Sequence, residues 1–221
     1  MEENRRRVPI VPPGILRHLT ERYKPVAILA YGSYADGTWG PHSDFDALVL
    51  TDGGAEGHDT AFVDGVQLDV FIYPAGFFDG DFSPGDFPQL ADAALLLDRD
   101  GRGKALTDRV RDWQAGWRPP SRDELRAQTA WCRKMLRRTE RGDAEGMFRW
   151  HWLLTDSLEI CCGLLGTPYQ GPKKSLRWLG EACPEGYRLY ADALARLDAA
   201  ALERWVRWLE ERWAEREAEK M

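Results

Sequence analysis

No apolar run in the 221-residue chain approaches the roughly 20 residues that a membrane-spanning helix needs. The opening MEENRRRVPIVPPG also lacks the apolar segment of a secretory signal, so the protein is read as cytoplasmic. Its four cysteines, Cys132, Cys161, Cys162 and Cys183, form no CxxC pair and have no histidines at zinc-like spacing. That argues against a disulfide framework or a structural zinc and for buried free thiols. No GKS or GKT follows a glycine-rich loop and no GxGxxG opens a helix, which excludes the Walker phosphate loop and the dinucleotide turn. Internal repeats and low-complexity segments are missing as well. Basic residues are scarce in the first half. Up to Arg118 there are 12 Lys+Arg against 19 Asp+Glu, a charge of −7; the remainder holds 18 against 17, or +1, within an overall −6. An acidic first half disfavours a protein that grips long nucleic acid by charge. It suits a lobe that holds divalent cations.

What is present is enough to build a core: 43% of the residues are hydrophobic and 11% aromatic, in a length that allows one large domain or two small ones. The first half alternates strand and helix signals. A helix is expected over residues 14–23, then the strand PVAILAYG, a loop, the strand DFDALVLT, the turn-rich TDGGAEGHD and a third strand VQLDVFIY. PAGFFDGDFSPGDF reads as loop, ALLLD as a short strand and residues 103–113 as a helix. Pro119-Pro120 marks a boundary, because two prolines remove helix donors and hold the backbone extended. Beyond it everything reads as helix. Ser121 and Glu124 form a capping box, Gly142 stops that helix, Asp143 caps the next one as far as Gly166, and Pro172 begins a third. Two more run over residues 184–197 and from Ala199 to the end. Seven of the ten tryptophans fall in this half and can fill a bundle core. The fold class is therefore α+β: a small mixed β-sheet lobe over residues 1–118, followed by an all-α helical bundle over 119–221.

The chemistry sits in GSYADGTWGPHSDFDALVL, residues 32–50. Side chains alternate along a strand, so Asp44 and Asp46 share a face while Phe45 points to the other. Asp69, embedded in VQLDVFIY, is a third acid among apolar neighbours. If its strand lies beside DFDALVLT the three carboxylates converge, and unpaired buried charge is costly enough that cations are needed between them. A pair of Mg²⁺ ions is the natural counterweight. Gly32 has no side chain to block a phosphate, and Ser33 offers a hydroxyl and a backbone N–H at a strand end. Asp36, Asp52 and Asp64 are read as ordinary turn acids.

These four parts, Gly32-Ser33, a ten-residue spacer, Asp44-Phe45-Asp46 and the later Asp69, resemble the pattern of the polymerase-β-like nucleotidyltransferases over about the first 115 residues. The helical half is similar in kind to that of small bacterial members such as the aminoglycoside nucleotidyltransferases, without a motif that fixes a substrate. The resemblance implies transfer of a nucleoside monophosphate, AMP from ATP, to a hydroxyl of a small-molecule acceptor with release of pyrophosphate. An aminoglycoside-type antibiotic is the family-level acceptor. By the same resemblance Asp44 and Asp46 hold both metals, Asp69 holds the one nearer the attacking oxygen, and Gly32 with Ser33 holds the β and γ phosphates. Ser43, just before the acids, joins the nucleotide-binding candidates; its neighbour His42 is read as a loop histidine.

In the helical half His151, Thr155 and Glu159 recur every four residues with Asp156 beside them, a polar stripe that faces either solvent or a cleft between the lobes. In the cleft, Glu159 or Asp156 is a candidate general base. Lys173 and Lys174 stand in a first helical turn, where cations oppose the helix dipole, and either is a candidate for the triphosphate. Arg133, Arg137 and Arg141 stack at helical spacing as a solvated basic face. Arg5-Arg6-Arg7 is read as a frayed basic terminus. Three rivals remain: a protein-modifying AMP transferase of antitoxin type, an RNA-tailing enzyme, and a nucleotide-binding regulator without turnover. Some relatives complete the site across a homodimer.

Overall fold

The computed structural model describes residues 11–218; Arg5, Arg6 and Arg7 lie outside the described residues, as do the last three. The fold is a mixed α+β arrangement that divides into two compact units, the first ending at Gly116 and the second beginning at Trp117.

In the first unit, α1 (Pro13–Tyr23) starts on a proline, whose missing donor costs nothing in a first turn. It buries Ile15 and Leu19, one turn apart. β1 (Ala27–Ala30) follows, then Gly32, whose φ of +66° turns the chain into the short helix α2 (Gly32–Asp36). The Gly-Ser turn expected from sequence is thus the opening of a helix, ended by Gly37 at φ +75°. β2 (Phe45–Thr51) and β5 (Val66–Pro74) pair in parallel, and β1 pairs antiparallel with both β2 and β6 (Ala94–Asp98). The strand order is β3-β5-β2-β1-β6, with β4 added to β5. β2 is covered on both faces. Phe45, Ala47 and Val49 join a cluster with Ile15, Leu19, Leu68 and Val70, while Leu48 and Leu50 join a second with Leu29, Leu90, Leu106 and Val110.

Sequence reasoning missed β3 (Gly57–Asp59), which falls at the end of the stretch read as a turn, and β4 (Phe62–Val63), which falls between that turn and the strand VQLDVFIY. β3 is fixed by its last residue. Asp59 is 6% exposed, and its carboxylate accepts from Tyr23 Oη at 2.7 Å, from the Ala61 N–H at 3.0 Å and pairs with His18 Nε2 at 2.8 Å. Burial pushes that carboxyl up, but the bonds from Tyr23, His18 and Ala61 prevail and hold it below the usual carboxylate range. β4 is closed onto β5 by Asp64 and Gly65, both at positive φ, the Asp-Gly pair that tight hairpins favour. The segment read as loop, residues 74–87, holds two short 3₁₀ turns, Ala75–Phe78 and Pro84–Asp86, and a third, Pro88–Asp92, follows it. α3 (Arg102–Ala115) fastens this stretch: Arg109 donates to the carbonyls of Phe78 and Gly80, Arg111 to Ala91 and Gln114 to Pro88. Arg109 also lies 4.4 Å over the Phe82 ring.

The second unit is all helix: α4 (Arg122–Thr139), α5 (Ala144–Leu164), α6 (Gly171–Ala182), α7 (Pro184–Arg196) and α8 (Ala199–Ala218). The Ser121–Glu124 capping box forms in both directions, and Asp143 Oδ1 accepts the Gly146 N–H at 2.8 Å to cap α5. Ser121→Ala removes one half of the box, so thermal or urea unfolding should show a loss of about 1 kcal/mol. Trp150, Trp205 and Trp208 are buried in the core of this unit, whereas Trp152 is exposed. Trp205, fully buried, donates its indole N–H to Ser157 Oγ at 2.9 Å, so its polar atom is satisfied. Cys132, Cys161 and Cys162 are buried free thiols and Cys183 is half-buried. Burial pushes the Cys132 thiol up to about 12. The expected basic face is only partly solvated. Arg133 on α4 binds Glu210 through two guanidinium nitrogens and Glu203 through the third, both on α8. A planar fork matches a carboxylate edge better than it matches water, and charge spacing along α4 cannot reveal partners that far along the chain.

Candidate active site

Parallel register brings the acids together. Asp46 and Asp69 are direct partners across β2 and β5, so their side chains rise from one face. Asp44, two residues before Asp46, joins them at the strand entrance. One oxygen of each of the three carboxylates can be chosen so that all lie within 4.8 Å of one another. Asp44 is exposed, and Asp46 and Asp69 are half-buried. Ligands on one octahedral magnesium at about 2.1 Å stand about 3 Å apart when adjacent and about 4.2 Å apart when opposite. Two ions about 3.5–4 Å apart span more. The carboxylate set therefore fits one or two hard divalent cations.

Gly32 is built against this cluster. A Cβ placed on it would stand 2.2 Å from Asp46 Oδ2 and 2.9 Å from its carboxyl carbon. The glycine thus serves twice, for its left-handed backbone and for the room it leaves to Asp46. The preceding Tyr31 donates its N–H to the Asp46 carbonyl at 3.0 Å, which locks the end of β1 to the start of β2. Its phenol, 9% exposed, is pushed far above the ordinary range by burial first and by the Asp46 and Asp69 charges next, against a hydrogen bond with Gln89. Sequence reasoning passed over Tyr31; an aromatic directly before Gly-Ser was its only signal.

A second residue that sequence reasoning passed over is His58 on β3. Its Nε2 lies 2.6 Å from Asp69 Oδ1, and its ring stacks on Phe71 at 4.4 Å and 7°. His58 and Phe71 are register partners across β3 and β5, which places Asp69 on the diagonal of the same face.

The other predicted residues are placed as follows. Ser33, half-buried in the first turn of α2, offers its carbonyl to the Thr38 N–H at 3.0 Å. Ser43 closes a small loop: its hydroxyl accepts the Gly40 N–H and its own N–H donates to the Gly40 carbonyl, both at 3.0 Å. His42 is exposed. Asp36 accepts from the Thr38 N–H at 3.0 Å, as turn acids do, whereas Asp64, in the β4–β5 turn, reaches across to accept the Gly14 N–H in the first turn of α1 at 2.9 Å. Glu159, Lys173 and Lys174 belong to the helical unit. Glu159 is exposed on α5, and its charge, after burial, raises the Tyr169 phenol. Asp156 accepts the Trp152 indole N–H at 2.6 Å, and Thr155 donates to the His151 carbonyl at 2.9 Å. Lys173 is exposed, and half-buried Lys174 lines a small pocket of about 60 Å³ with Cys162, Thr167, Gln170, Ser175 and Trp178.

Residues 13–85 match the family model of the nucleotidyltransferase domain. This span, well under half of the chain, contains Gly32, Ser33, Asp44, Asp46 and Asp69. The match supports a nucleotide-transferring domain in the first unit. Among solved structures, a nucleotidyltransferase-like protein from Exiguobacterium sibiricum is similar at 12% identity and a TM-score of 0.39, covering 91% of this chain and 72% of that one. No curated protein matches the chain. No helix among the described residues is long and apolar enough to cross a membrane.

Proposed function

We propose that this protein moves a nucleoside monophosphate, AMP from ATP, to a hydroxyl group of a small-molecule acceptor. The acceptor oxygen bonds to the α-phosphorus, the bond to the pyrophosphate oxygen breaks, and the hydroxyl proton passes to a base. The observation that carries the reading is the meeting of the Asp44, Asp46 and Asp69 carboxylates within 4.8 Å, beside a glycine at φ +66° where an added Cβ would press on Asp46. Two Mg²⁺ ions, when bound, supply charge neutralisation at the phosphates and lower the pKa of the attacking hydroxyl. Asp44 and Asp46 would hold both and Asp69 the one on the acceptor side. Gly32 and Ser33 leave backbone N–H groups at the start of α2 without helical partners, and these suit the β and γ phosphate oxygens. Ser43 keeps the loop before the acids closed and stays with the nucleotide-binding set. From the helical unit, Glu159 is the proposed base and Lys173 or Lys174 the proposed triphosphate cation. The charge of −7 up to Arg118 favours a cationic acceptor such as an aminoglycoside.

The test is incubation with α-labelled ATP or GTP and Mg²⁺ against a panel of aminoglycosides, lincosamides and proteins. Label on a small cationic acceptor, with pyrophosphate released in equal amount, is the expected result. Label on a protein would move the acceptor class. Nucleotide binding without pyrophosphate release for any acceptor would identify a regulator. Glu159→Gln and the paired Lys173→Ala, Lys174→Ala protein, run in the same assay, separate turnover from ATP affinity.

A further inference from the structure

The Asp69 carboxylate has a side-chain partner from another strand, His58 Nε2 at 2.6 Å. An ionised carboxylate only accepts hydrogen bonds, so Nε2 carries the proton and the bond occupies Asp69 Oδ1. That contact removes rotational freedom from a side chain that must meet Asp44 and Asp46. The imidazole is itself restrained twice. Its face lies on Phe71 at 4.4 Å and nearly parallel, and its backbone is in register with Phe71 on the neighbouring strand. The next residue, Asp59, pins β3 to α1 through part-buried bonds with Tyr23 and His18. A chain of fixed contacts thus runs from α1 through Asp59 and His58 to the carboxylate of Asp69.

We propose that His58 is a positioning residue for the divalent cation, holding the Asp69 carboxylate in the orientation that completes the three-acid cluster. The proposal rests on the metal reading above and deepens it. The pair is open to water, with side chains 44% and 38% exposed, and exposed pairs of this kind add little to folding. Its effect is therefore on where a ligand atom sits, as outer contacts to metal ligands generally act. A contact of merely structural value would alter the melting temperature and leave cation affinity alone. The opposite role is also distinguishable, since a histidine that competed with the cation for Asp69 would weaken binding in the native protein.

The experiment titrates Mn²⁺ into the full chain by electron paramagnetic resonance, for the native protein, His58→Ala and His58→Gln, with melting temperatures measured alongside. A glutamine side-chain amide places an N–H donor near the position of Nε2 without an imidazole. The expected result is about tenfold weaker Mn²⁺ binding in His58→Ala, recovery of most of that loss in His58→Gln, and an unchanged melting temperature. Equal or tighter binding in His58→Ala, beside a native protein that binds Mn²⁺, overturns the positioning role and leaves the metal site standing. A native protein that binds no Mn²⁺ overturns the metal reading and this inference together.

Discussion

An Asp46→Asn protein should lose nucleotidyl transfer by about a thousandfold or more while melting at the native temperature or slightly above it. The substitution keeps the shape of the side chain, so the close fit against Gly32 and the Tyr31 N–H bond to the Asp46 carbonyl both survive. What it removes is one negative charge from a cluster whose oxygens lie within 4.8 Å of one another. Without cations, three like charges at that spacing repel, and dropping one relieves the fold rather than harming it. With cations, the lost ligand removes charge stabilisation worth several kcal/mol in the transition state, and each 1.36 kcal/mol is a factor of about ten in rate. Label transfer from α-labelled ATP, measured beside a thermal melt, checks both halves. Asp52→Asn, a change in an exposed turn, should leave the rate as it is.

Gly32→Ala is expected to reduce transfer by about a hundredfold in a protein that still folds. Two costs arise at once. The backbone at φ +66° is a left-handed conformation that a side chain raises by about 1–2 kcal/mol. The new methyl would also stand 2.2 Å from Asp46 Oδ2. That oxygen ends a short side chain that can swing aside, which is why the fold survives. The swing displaces a candidate metal ligand, and misplacement of about 1 Å at a reacting centre can cost about a hundredfold. A stringent check is the double variant Gly32→Ala with Asp46→Asn. If the methyl acts by moving Asp46, the pair should lose scarcely more than Asp46→Asn alone, because effects transmitted through one group do not add. Fully multiplicative losses would instead place the damage in the phosphate-facing backbone of α2.

Much of this architecture is legible in sequence because it is written in local patterns. The strands carrying AILA, FDALVLT and VQLDVFIYP are apolar runs bounded by turn residues, and Asp44-Phe45-Asp46 places two acids on one side whatever the strand's neighbours. Ser121 with Glu124 and Asp143 are caps whose partners lie three residues away. The parts that escape are those decided at a distance. β3 is three residues of Gly-His-Asp with no strand propensity of its own. It exists because Asp59 finds Tyr23 and His18 on α1. Asp64-Gly65 is a legible hairpin turn, but the strand leading into it is two residues long and carries no period to read. His58 gains its place only after β3 lies against β5. Arg133 shows the same limit in the helical unit, where spacing on α4 is visible and the two glutamates on α8 are not.

The direction in which β2 and β5 run has a consequence of its own. Two strands that point the same way cannot be joined by a tight loop, so after Thr51 the chain must travel back before it enters Val66. It makes that journey along the outer edge of β5, as β3 and β4. Strands of opposite sense would have set one acid at an entrance and the other at an exit. The shared sense puts both near their entrances, and the detour it imposes delivers a further strand, with a histidine on it, to the open flank of the third acid.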